Sequence, residues 1–399
     1  ATGVAAGITT ITATVPVTQP VPGSIAGSAT LTVTGGGAQI NVLPITVNGS
    51  LCSSATSAGY FNKPCVSVTI CVPGTSTCQV VTDLLLDTGS YGLRIFKQAL
   101  SVSLPQVTVP AGALAECVQF GDGSSEWGPV QMASLTLGSE PSVQVPIQVI
   151  DATFGTRSRA CRNADASPAV AGFNGILGVG LFAQDCGAFC TSSANNGLYL
   201  ACTGTACNGT TVPLTSQVQN PVALLPQDNN GVLVQLPGIP LGGVSSVNGS
   251  LVLGIGTRAN NMPAGVTAYP ANSGGDFTTI FNGATLTTSF IDSGSNGLFF
   301  AASQLPLCPS PNTGFYCPAA TTSLSATNVG AFGSPSGPVP FQIGNFASLI
   351  NSSSNVFSEV GGPDSGGFDW GLPFFFGRNV FVGIEGRSTS LGSGPYWAY

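Results

Sequence analysis

Histidine is absent from the 399-residue sequence, and charged residues make up only 6% of it. Without an imidazole, the chain cannot use a serine–histidine or cysteine–histidine pair for hydrolysis, and it has no histidine ligand for a metal ion. Asp and Glu total 16 against 9 Lys and Arg, which leaves any acid–base chemistry to carboxylates. The formal net charge of −7 argues against a nucleic-acid partner, because few cations are present to neutralise a phosphate backbone.

Long apolar runs are also missing. Gly, Pro, Ser and Thr interrupt every hydrophobic stretch before it reaches the roughly 18 residues that a membrane helix needs, so we predict no transmembrane segment. The 54 glycines and 29 prolines disfavour long helices. Short runs rich in Val, Ile, Leu and Thr are typical of an all-β protein, and they occur at residues 66–72, 80–86, 133–137, 143–150, 231–236, 251–255 and 380–384. Short helical pieces are expected only at residues 94–100 and 298–304.

The sequence has 12 cysteines, an even number, and none of them belongs to a Cys-x-x-Cys motif. Disulfides in an oxidising compartment are therefore a better interpretation than a zinc site. We expect local disulfides between Cys71 and Cys78 and between Cys308 and Cys317. The pairing stays open for a group of four neighbours, Cys186, Cys190, Cys202 and Cys207. The chain begins at Ala1 without a Met, as a mature exported protein does, so we expect a secreted, periplasmic or cell-surface location.

The first charged residue is Lys63. Residues 1–40 are interpreted as an uncharged N-terminal extension, in which residues 9–15 and 30–33 form either strands or, as the composition favours, part of a spacer. The rest of the chain is predicted to form two β lobes, residues 41–240 and 241–399. The turn-rich stretch at residues 237–247 marks the expected boundary between them.

An internal repeat is the basis of this two-lobe prediction. Residues 87–93 read Asp-Thr-Gly-Ser-Tyr-Gly-Leu and residues 292–298 read Asp-Ser-Gly-Ser-Asn-Gly-Leu, 205 positions later, and each copy follows an apolar strand. A second pair of segments follows in the same order: residues 173–178 begin 86 positions after Asp87, and residues 368–373 begin 76 positions after Asp292. Order and spacing repeat together, which indicates two homologous halves.

The repeated turns predict a pair of carboxylates. Two such turns related by a pseudo-two-fold axis would place Asp87 and Asp292 face to face. Two like charges that close share one proton, so the pair offers a base and an acid together. This chemistry suits the activation of a water molecule against a carbonyl group, and it requires neither a cofactor nor a metal ion.

The two tetrads resemble the active-site loops of the pepsin-like aspartic peptidases, and further segments agree with that family in order and position. Residues 120–124 (Phe-Gly-Asp-Gly-Ser) resemble the tip of the flap. Similar agreement is found at residues 173–180, 249–254, 370–372 and 381–384. The resemblance covers about residues 41–390. It extends to a subgroup of exported bacterial proteins of this type that carry extra cysteines and whose functions are poorly defined.

The resemblance implies an all-β, bilobal fold with few short helices, and it gives the catalytic role to Asp87 and Asp292. It implies that the neighbouring loop residues support this dyad: Thr88, Gly89 and Ser90, and Ser293, Gly294 and Ser295. Thr88 and Ser293 would tie the two loops together by hydrogen bonds. Ser90 and Ser295 would donate hydrogen bonds to the aspartates. It also implies a flap that covers the substrate, formed by Phe120, Gly121, Asp122, Gly123 and Ser124.

The activity implied is that of an aspartic endopeptidase, which would cleave an extended protein or peptide without a covalent intermediate. The resemblance and the shared proton of the dyad further imply activity at acid pH by a monomer. The alternative is a catalytically inactive binding or inhibitor protein with the same fold. A hydrolase of another polymer is a weaker third possibility.

Two departures from the family favour the inactive alternative. The flap position usually held by Tyr is Phe120, and the position of its usual Trp partner is Arg94. We expect Arg94 to be an ion-pair partner rather than a ligand clamp. Trp127, in the flap hairpin, is hypothesised to fill the vacated space. The aromatic run at residues 374–376 is expected to pack in the core.

Overall fold

A computed structural model describes residues 7–17, 23–33, 39–53, 55 and 59–399. Two separate units are present, Ala1–Ile40 and Asn41–Tyr399. In the first unit, β1 (Gly7–Val17) and β2 (Gly23–Val33) pair antiparallel along their whole length. Residues 9–15 and 30–33, for which the composition favoured a spacer over strands, are therefore strands. The other parts of the expected 1–40 extension, residues 1–6, 18–22 and 34–38, lie outside the described residues.

The second unit confirms the all-β prediction, because short strands make up most of its regular structure. Its first strands are β3 (Val42–Val47), β4 (Pro64–Cys71), β5 (Cys78–Asp87), β6 (Tyr91–Phe96), β7 (Thr108–Val109), β8 (Gly112–Gln119), β9 (Ser125–Thr136), β10 (Val143–Ile150), β11 (Gly175–Val179), β12 (Tyr199–Thr203), β13 (Ala206–Gly209), β14 (Gly231–Gln235) and β15 (Val247–Leu253). The later strands are β16 (Ala268–Pro270), β17 (Phe277–Phe281), β18 (Ala284–Ile291), β19 (Leu298–Phe300), β20 (Thr322–Val329), β21 (Ser336–Ile343), β22 (Gly361–Gly362), β23 (Phe368–Trp370), β24 (Asn379–Gly383), β25 (Ser388–Thr389), β26 (Gly392–Ser393) and β27 (Tyr396–Ala398).

Helices are few and short. The α-helices of the described residues are α1 (Pro168–Ala171), α2 (Ala188–Ser192) and α3 (Phe346–Ile350). The 3-10 turns are Lys97–Ala99, Leu214–Ser216, Pro221–Leu224, Ala259–Asn261 and Leu372–Phe375. The short helical piece expected at residues 94–100 is present in part, as the 3-10 turn Lys97–Ala99, whereas the one expected at residues 298–304 is wrong. Both segments begin as strands, β6 and β19, because each pairs with strands that are distant in sequence, and such pairing overrides local preference.

Two sheets contain most of the strands. A 16-stranded sheet runs in the order β13-β12-β8-β9-β10-β6-β11-β5-β4-β3-β15-β14-β24-β27-β16, with β7 paired to β8. A seven-stranded sheet runs β21-β20-β17-β18-β23-β19-β22. The larger sheet crosses the expected boundary at residues 237–247, since β3 pairs with β15 and β14 pairs with both β15 and β24. Residues 41–240 and 241–399 are thus joined by strand pairing within one sheet.

Each half of the sequence repeat builds the same three-stranded arrangement. In the first, β11 lies between β5, to which it is parallel, and β6, to which it is antiparallel. In the second, β23 lies between β18, again parallel, and β19, again antiparallel. β5 ends at the first repeated Asp, and β18 ends directly before the second.

The register of these strands shows which residues correspond. Ile176 of β11 and Asp369 of β23 each pair with the residue two positions before the repeated Asp. Their strand partners are Leu85 and Arg94 for Ile176, and Phe290 and Phe299 for Asp369. The two halves therefore align residues 176–178 with residues 369–371, which is not the alignment of Phe173 with Phe368 that the sequence spacing suggests.

The core is closed by apolar side chains and by disulfides. The aromatic run at residues 374–376 is buried as expected. Six disulfides are present, which confirms the predicted Cys71–Cys78 and Cys308–Cys317 pairs. The others are Cys52–Cys65, Cys117–Cys161, Cys186–Cys190 and Cys202–Cys207. Within the described residues, no helix is long and apolar enough to cross a membrane.

Candidate active site

The strands β5 and β18 carry the two repeated aspartates to one place. The last residues of β5 are buried and apolar, so this strand passes through the core and delivers Asp87 at its end, where the carboxylate is 6% exposed. Asp292 follows β18 directly, and its backbone N–H donates to the carbonyl of Trp370. The sequence prediction that Asp87 and Asp292 face each other agrees with this geometry.

The loops after the two strands are joined by crossed hydrogen bonds. The backbone N–H of Ser293 donates to Thr88 Oγ1 at 2.9 Å, and the backbone N–H of Thr88 donates to Ser293 Oγ at 3.2 Å. The two hydroxyls donate in turn to carbonyls on the opposite strand: Thr88 to Ile291 at 2.9 Å and Ser293 to Leu86 at 2.7 Å. Both side chains are fully buried. The four bonds fix the separation of the loops.

A glycine in each loop lies against the other loop's carboxylate. A Cβ atom on Gly89 would lie 2.8 Å from Asp292 Cγ, and one on Gly294 would lie 3.1 Å from Asp87 Cγ. The N–H of Gly89 donates to Asp87 Oδ1 at 2.7 Å and to Asp292 Oδ1 at 3.2 Å, while Gly294 N–H donates to Asp292 Oδ1 at 2.7 Å. A Cβ atom at either position would force the neighbouring carboxylate to shift.

Each carboxylate also accepts a hydrogen bond from a serine of its own loop. Ser90 Oγ donates to Asp87 Oδ2 at 2.5 Å, and Ser295 Oγ donates to Asp292 Oδ2 at 2.8 Å. Burial and the charge of Asp87 raise the pKa of Asp292 well above its usual range. The pair therefore retains a proton at a pH where an isolated Asp has lost it.

A cleft of about 1170 Å³ opens above the dyad, and the hairpin of β8 and β9 borders it. Residues 120–124 form the tip of this hairpin, which closes with a hydrogen bond from Phe120 N–H to the Ser124 carbonyl at 3.0 Å. The side chain of Asp122 accepts from Ser124 N–H and Oγ. Four of the five predicted flap residues line the cleft, while Gly123 turns the chain at a φ of 87°.

Arg94 borders the same cleft, but both terminal nitrogens of its guanidinium already have partners. Nη2 lies 2.6 Å from Glu116 Oε1 and 3.0 Å from Asp185 Oδ2, and the side chain is 1% exposed. Nη1 donates to the carbonyl of Tyr91 at 2.6 Å. The expectation that Arg94 is an ion-pair partner is confirmed. Two carboxylates on neighbouring segments hold it, so it is poorly placed to clamp a ligand.

The hypothesis that Trp127 fills the space beneath the flap is wrong. Trp127 lies on β9 opposite Cys117, and it packs on the side of the Cys117–Cys161 disulfide. Its indole N–H donates to the carbonyl of Phe154 at 2.7 Å. Trp127 is fully buried and is not among the residues that line the cleft.

Two residues that the sequence did not mark belong to the cleft wall. Tyr60 precedes β4 in a segment without a motif, yet it lines the cleft, and burial together with the charges of Asp292, Asp122 and Asp87 raises its pKa. Asp369 lines the cleft from β23 and is 7% exposed. Burial raises the pKa of Asp369 to about 8. The sequence signal that could have identified Asp369 is a carboxylate placed between two aromatic residues of the core.

The described residues offer no convincing metal site. Cys52, Cys65 and Asp83 are the one group of three potential ligands that these residues bring within 4.8 Å of one another. Cys52 and Cys65 form a disulfide, so neither is free to act as a thiolate ligand.

The chain is thus an all-β, disulfide-linked protein in which two Asp-[Ser/Thr]-Gly-Ser loops meet at one cleft. Residues 37–399 match the family described as "Protein of unknown function (DUF3443)", and the chain belongs to that family. No curated protein matches the chain. The family description names no activity.

Proposed function

We propose that this protein is an aspartic endopeptidase with a bilobal, pepsin-like fold, exported and monomeric, that cleaves extended polypeptides at acid pH. The observation that carries the proposal is the crossed hydrogen bonding of Thr88 and Ser293. These bonds, together with Gly89 and Gly294, hold two carboxylates against each other's loops. Such a pair with a shared proton is suited to hydrolysis by a water molecule.

The reaction needs one ionised and one protonated carboxylate. The ionised member takes a proton from a water molecule while the water oxygen bonds to the carbonyl carbon of the peptide. The protonated member gives its proton to the carbonyl oxygen. Collapse of this tetrahedral diol breaks the C–N bond: the amide nitrogen receives the proton taken from water, and one hydroxyl of the diol returns a proton to the carboxylate that had protonated the carbonyl oxygen. The products are a carboxylic acid and an amine, and no covalent enzyme intermediate forms.

The flap and the cleft support an extended substrate. The hairpin of β8 and β9 presents backbone groups at residues 120–124 beside the dyad, where a peptide can add as a further strand. Six disulfides and a net charge of −7 are properties of proteins that function in oxidising, often acidic, surroundings.

The test is digestion of a reduced, alkylated protein substrate between pH 2 and pH 8, followed by mass spectrometry. Wild type is compared with Asp87→Asn and Asp292→Asn, and with Asp165→Asn, which removes a carboxylate that does not line the cleft. We expect cleavage by wild type and Asp165→Asn at acid pH, and a loss of at least about a thousandfold in the two dyad variants. A folded wild type that cuts nothing across this range overturns the proposal.

The competing function is a binding or inhibitor protein that uses the same cleft without cleavage. Phe120 carries no hydroxyl at the flap tip, and Arg94 is held by Glu116 and Asp185, which favours this alternative. The same assay separates the two functions, because a binding protein would protect a bound polypeptide rather than cut it.

A further inference from the structure

We propose that Asp369 makes the cleft wall beside Asp292 a subsite for a cationic side chain, Lys or Arg, of the polypeptide substrate, with Asp364 at its rim. This inference rests on the proposed function and adds a substrate preference to it.

The strand register directs Asp369 into the cleft. Its neighbours on β23, Phe368 and Trp370, are fully buried in the core, so the alternation of side chains turns Asp369 to the opposite side. There it lines the same cleft as Asp292. The corresponding residue of the first half is Ile176, which lines the cleft with an apolar side chain. The two walls of the cleft therefore differ in chemistry at matching positions.

The carboxylate of Asp369 lacks a full set of partners. The residue is 7% exposed, and within the described part of the chain its Oδ1 atom has no hydrogen-bond donor. A buried carboxylate oxygen without a donor is unfavourable, and a cation beside the same carboxylate offsets that penalty. The strand partners of Asp369, Phe290 and Phe299, also line the cleft and can pack against the methylene stem of a long side chain.

The charge around this position favours a cation. Seven aspartates line the cleft: Asp87, Asp122, Asp185, Asp276, Asp292, Asp364 and Asp369. The one basic residue in the lining is Arg94, which is already paired with Glu116 and Asp185. An ammonium or guanidinium group entering beside Asp369 approaches Asp364 and the dyad, which are the acidic groups that act on Asp369.

A peptide side chain fits this place better than a metal ion. Within the described residues, no three carboxylates bring their oxygens within 4.8 Å of one another, so the aspartates of the cleft are too far apart to ligate one ion together. A Lys or Arg side chain requires only one strong acceptor at the end of an apolar channel.

The charge state of Asp369 makes the preference for a cationic side chain depend on pH. Burial is the main cause that raises the pKa of Asp369; the Ser295 hydroxyl lowers this pKa, and the charges of Asp364 and Asp87 raise it further. Asp292 lies on the neighbouring loop. With a pKa of about 8, Asp369 must release a proton before it pairs with a cation at either pH 7 or pH 4, and this release costs more free energy at pH 4. The preference for a cation should therefore be weaker at pH 4 than at pH 7.

The experiment measures binding, so that it does not depend on turnover. Statine-containing peptides are prepared in pairs that differ only by lysine or norleucine at one position, and each is titrated calorimetrically into wild type at pH 4 and pH 7. For one position we expect the lysine peptide to bind about tenfold more tightly at pH 7. This preference should disappear in Asp369→Asn and in Asp369→Ile, which copies the first half, and persist in Asp165→Asn.

The outcomes separate the inference from the proposed function. Equal binding of both members of every pair, or a lysine preference that survives in both Asp369 variants, overturns the inference. If wild type then still cleaves protein in an Asp87-dependent manner, the endopeptidase proposal stands without this subsite. If folded wild type neither binds a statine peptide nor cleaves protein, both fail. Asp364→Asn, on the partly exposed rim, checks the assignment should the Asp369 variants not fold, and it should weaken the preference without removing it.

Discussion

The hydroxyls of Thr88 and Ser293 each accept a hydrogen bond from the backbone N–H of the other residue, at 2.9 Å and 3.2 Å, although the two residues are 205 positions apart. Each hydroxyl also donates to a carbonyl on the opposite strand. Both residues are fully buried, so no water can replace these bonds. These bonds help to fix the mutual position of the two loops that carry the aspartates.

Removal of either hydroxyl should destabilise the fold. Thr88→Val leaves the N–H of Ser293 and the carbonyl of Ile291 without partners, and we expect the free energy of unfolding to fall by about 2–4 kcal/mol. Chemical denaturation measures the change. The matched control is Thr287→Val on exposed β18, which should change the stability by less than about 0.5 kcal/mol. Equal stability of Thr88→Val and wild type would show that the crossed bonds do not hold the loops.

Tyr60 should contribute to catalysis from the cleft wall. Its pKa is raised by burial and by the charges of Asp292, Asp122 and Asp87, which places its hydroxyl in the electrostatic field of the dyad and the flap. We expect Tyr60→Phe to lower kcat/KM for a peptide substrate about tenfold, with the melting temperature unchanged. An unchanged kcat/KM would assign Tyr60 a packing role only.

Stability should be greatest in acid and decrease toward neutral pH. Burial raises the pKa of Glu126 to about 8 from an ordinary value of 4.5, and Arg94 lowers it only in part. Between these values the folded state binds more protons than the unfolded state, so the free energy of unfolding falls as the pH rises. The contribution is complete below about pH 4.5 and lost above pH 8. Asp369 acts in the same direction, since its pKa is also raised to about 8.

Glu126→Gln tests this pH dependence, because the amide cannot titrate. The decrease in unfolding free energy between pH 5 and pH 8 should become shallower, by at most about 1.4 kcal/mol per pH unit. Urea denaturation at several pH values provides the measurement. If wild type instead gained stability from pH 5 to pH 8, Glu126 and Asp369 would have to be ionised in the fold at acid pH.

The disulfide behind the flap should contribute more stability than a local one. Cys117–Cys161 closes a loop with a sequence separation of 44, against 7 for Cys71–Cys78. Loop entropy gives about 4 kcal/mol for the long loop and about 2 kcal/mol for the short one. Thermal unfolding of the two double Cys→Ala variants compares them directly. A larger loss of stability for the short loop would contradict the entropic argument.

Much of the fold was predictable because Gly, Pro or Asn residues mark the ends of many strands. Seven apolar runs bounded by Gly, Pro or Asn all coincide with strands, and the two local disulfides follow from short spacing. The repeated tetrads indicated which aspartates to compare. The segment at residues 298–304 was misassigned, and the one at residues 94–100 is helical only at Lys97–Ala99, because the strand partners of both segments lie far away in sequence.

The cleft wall could not be predicted from sequence, because it depends on which face of a strand each residue occupies. Trp127 was expected near the cleft, yet the register of β9 against Cys117 turns it toward a disulfide. Asp369 was visible as part of a repeat, but only its pairing with Phe290 and Phe299 places it opposite the core. Tyr60 has no motif at all, and long-range packing alone brings it to the dyad.

The central claim is that Asp87 and Asp292 act as one catalytic pair. Its most direct test is calorimetric titration of a statine peptide, whose hydroxyl mimics the attacking water, into wild type, Asp87→Asn and Asp292→Asn at pH 4. We expect one site in wild type and affinity at least about a hundredfold weaker in both folded variants. Equal affinity in all three proteins, or no binding by folded wild type, would contradict the claim.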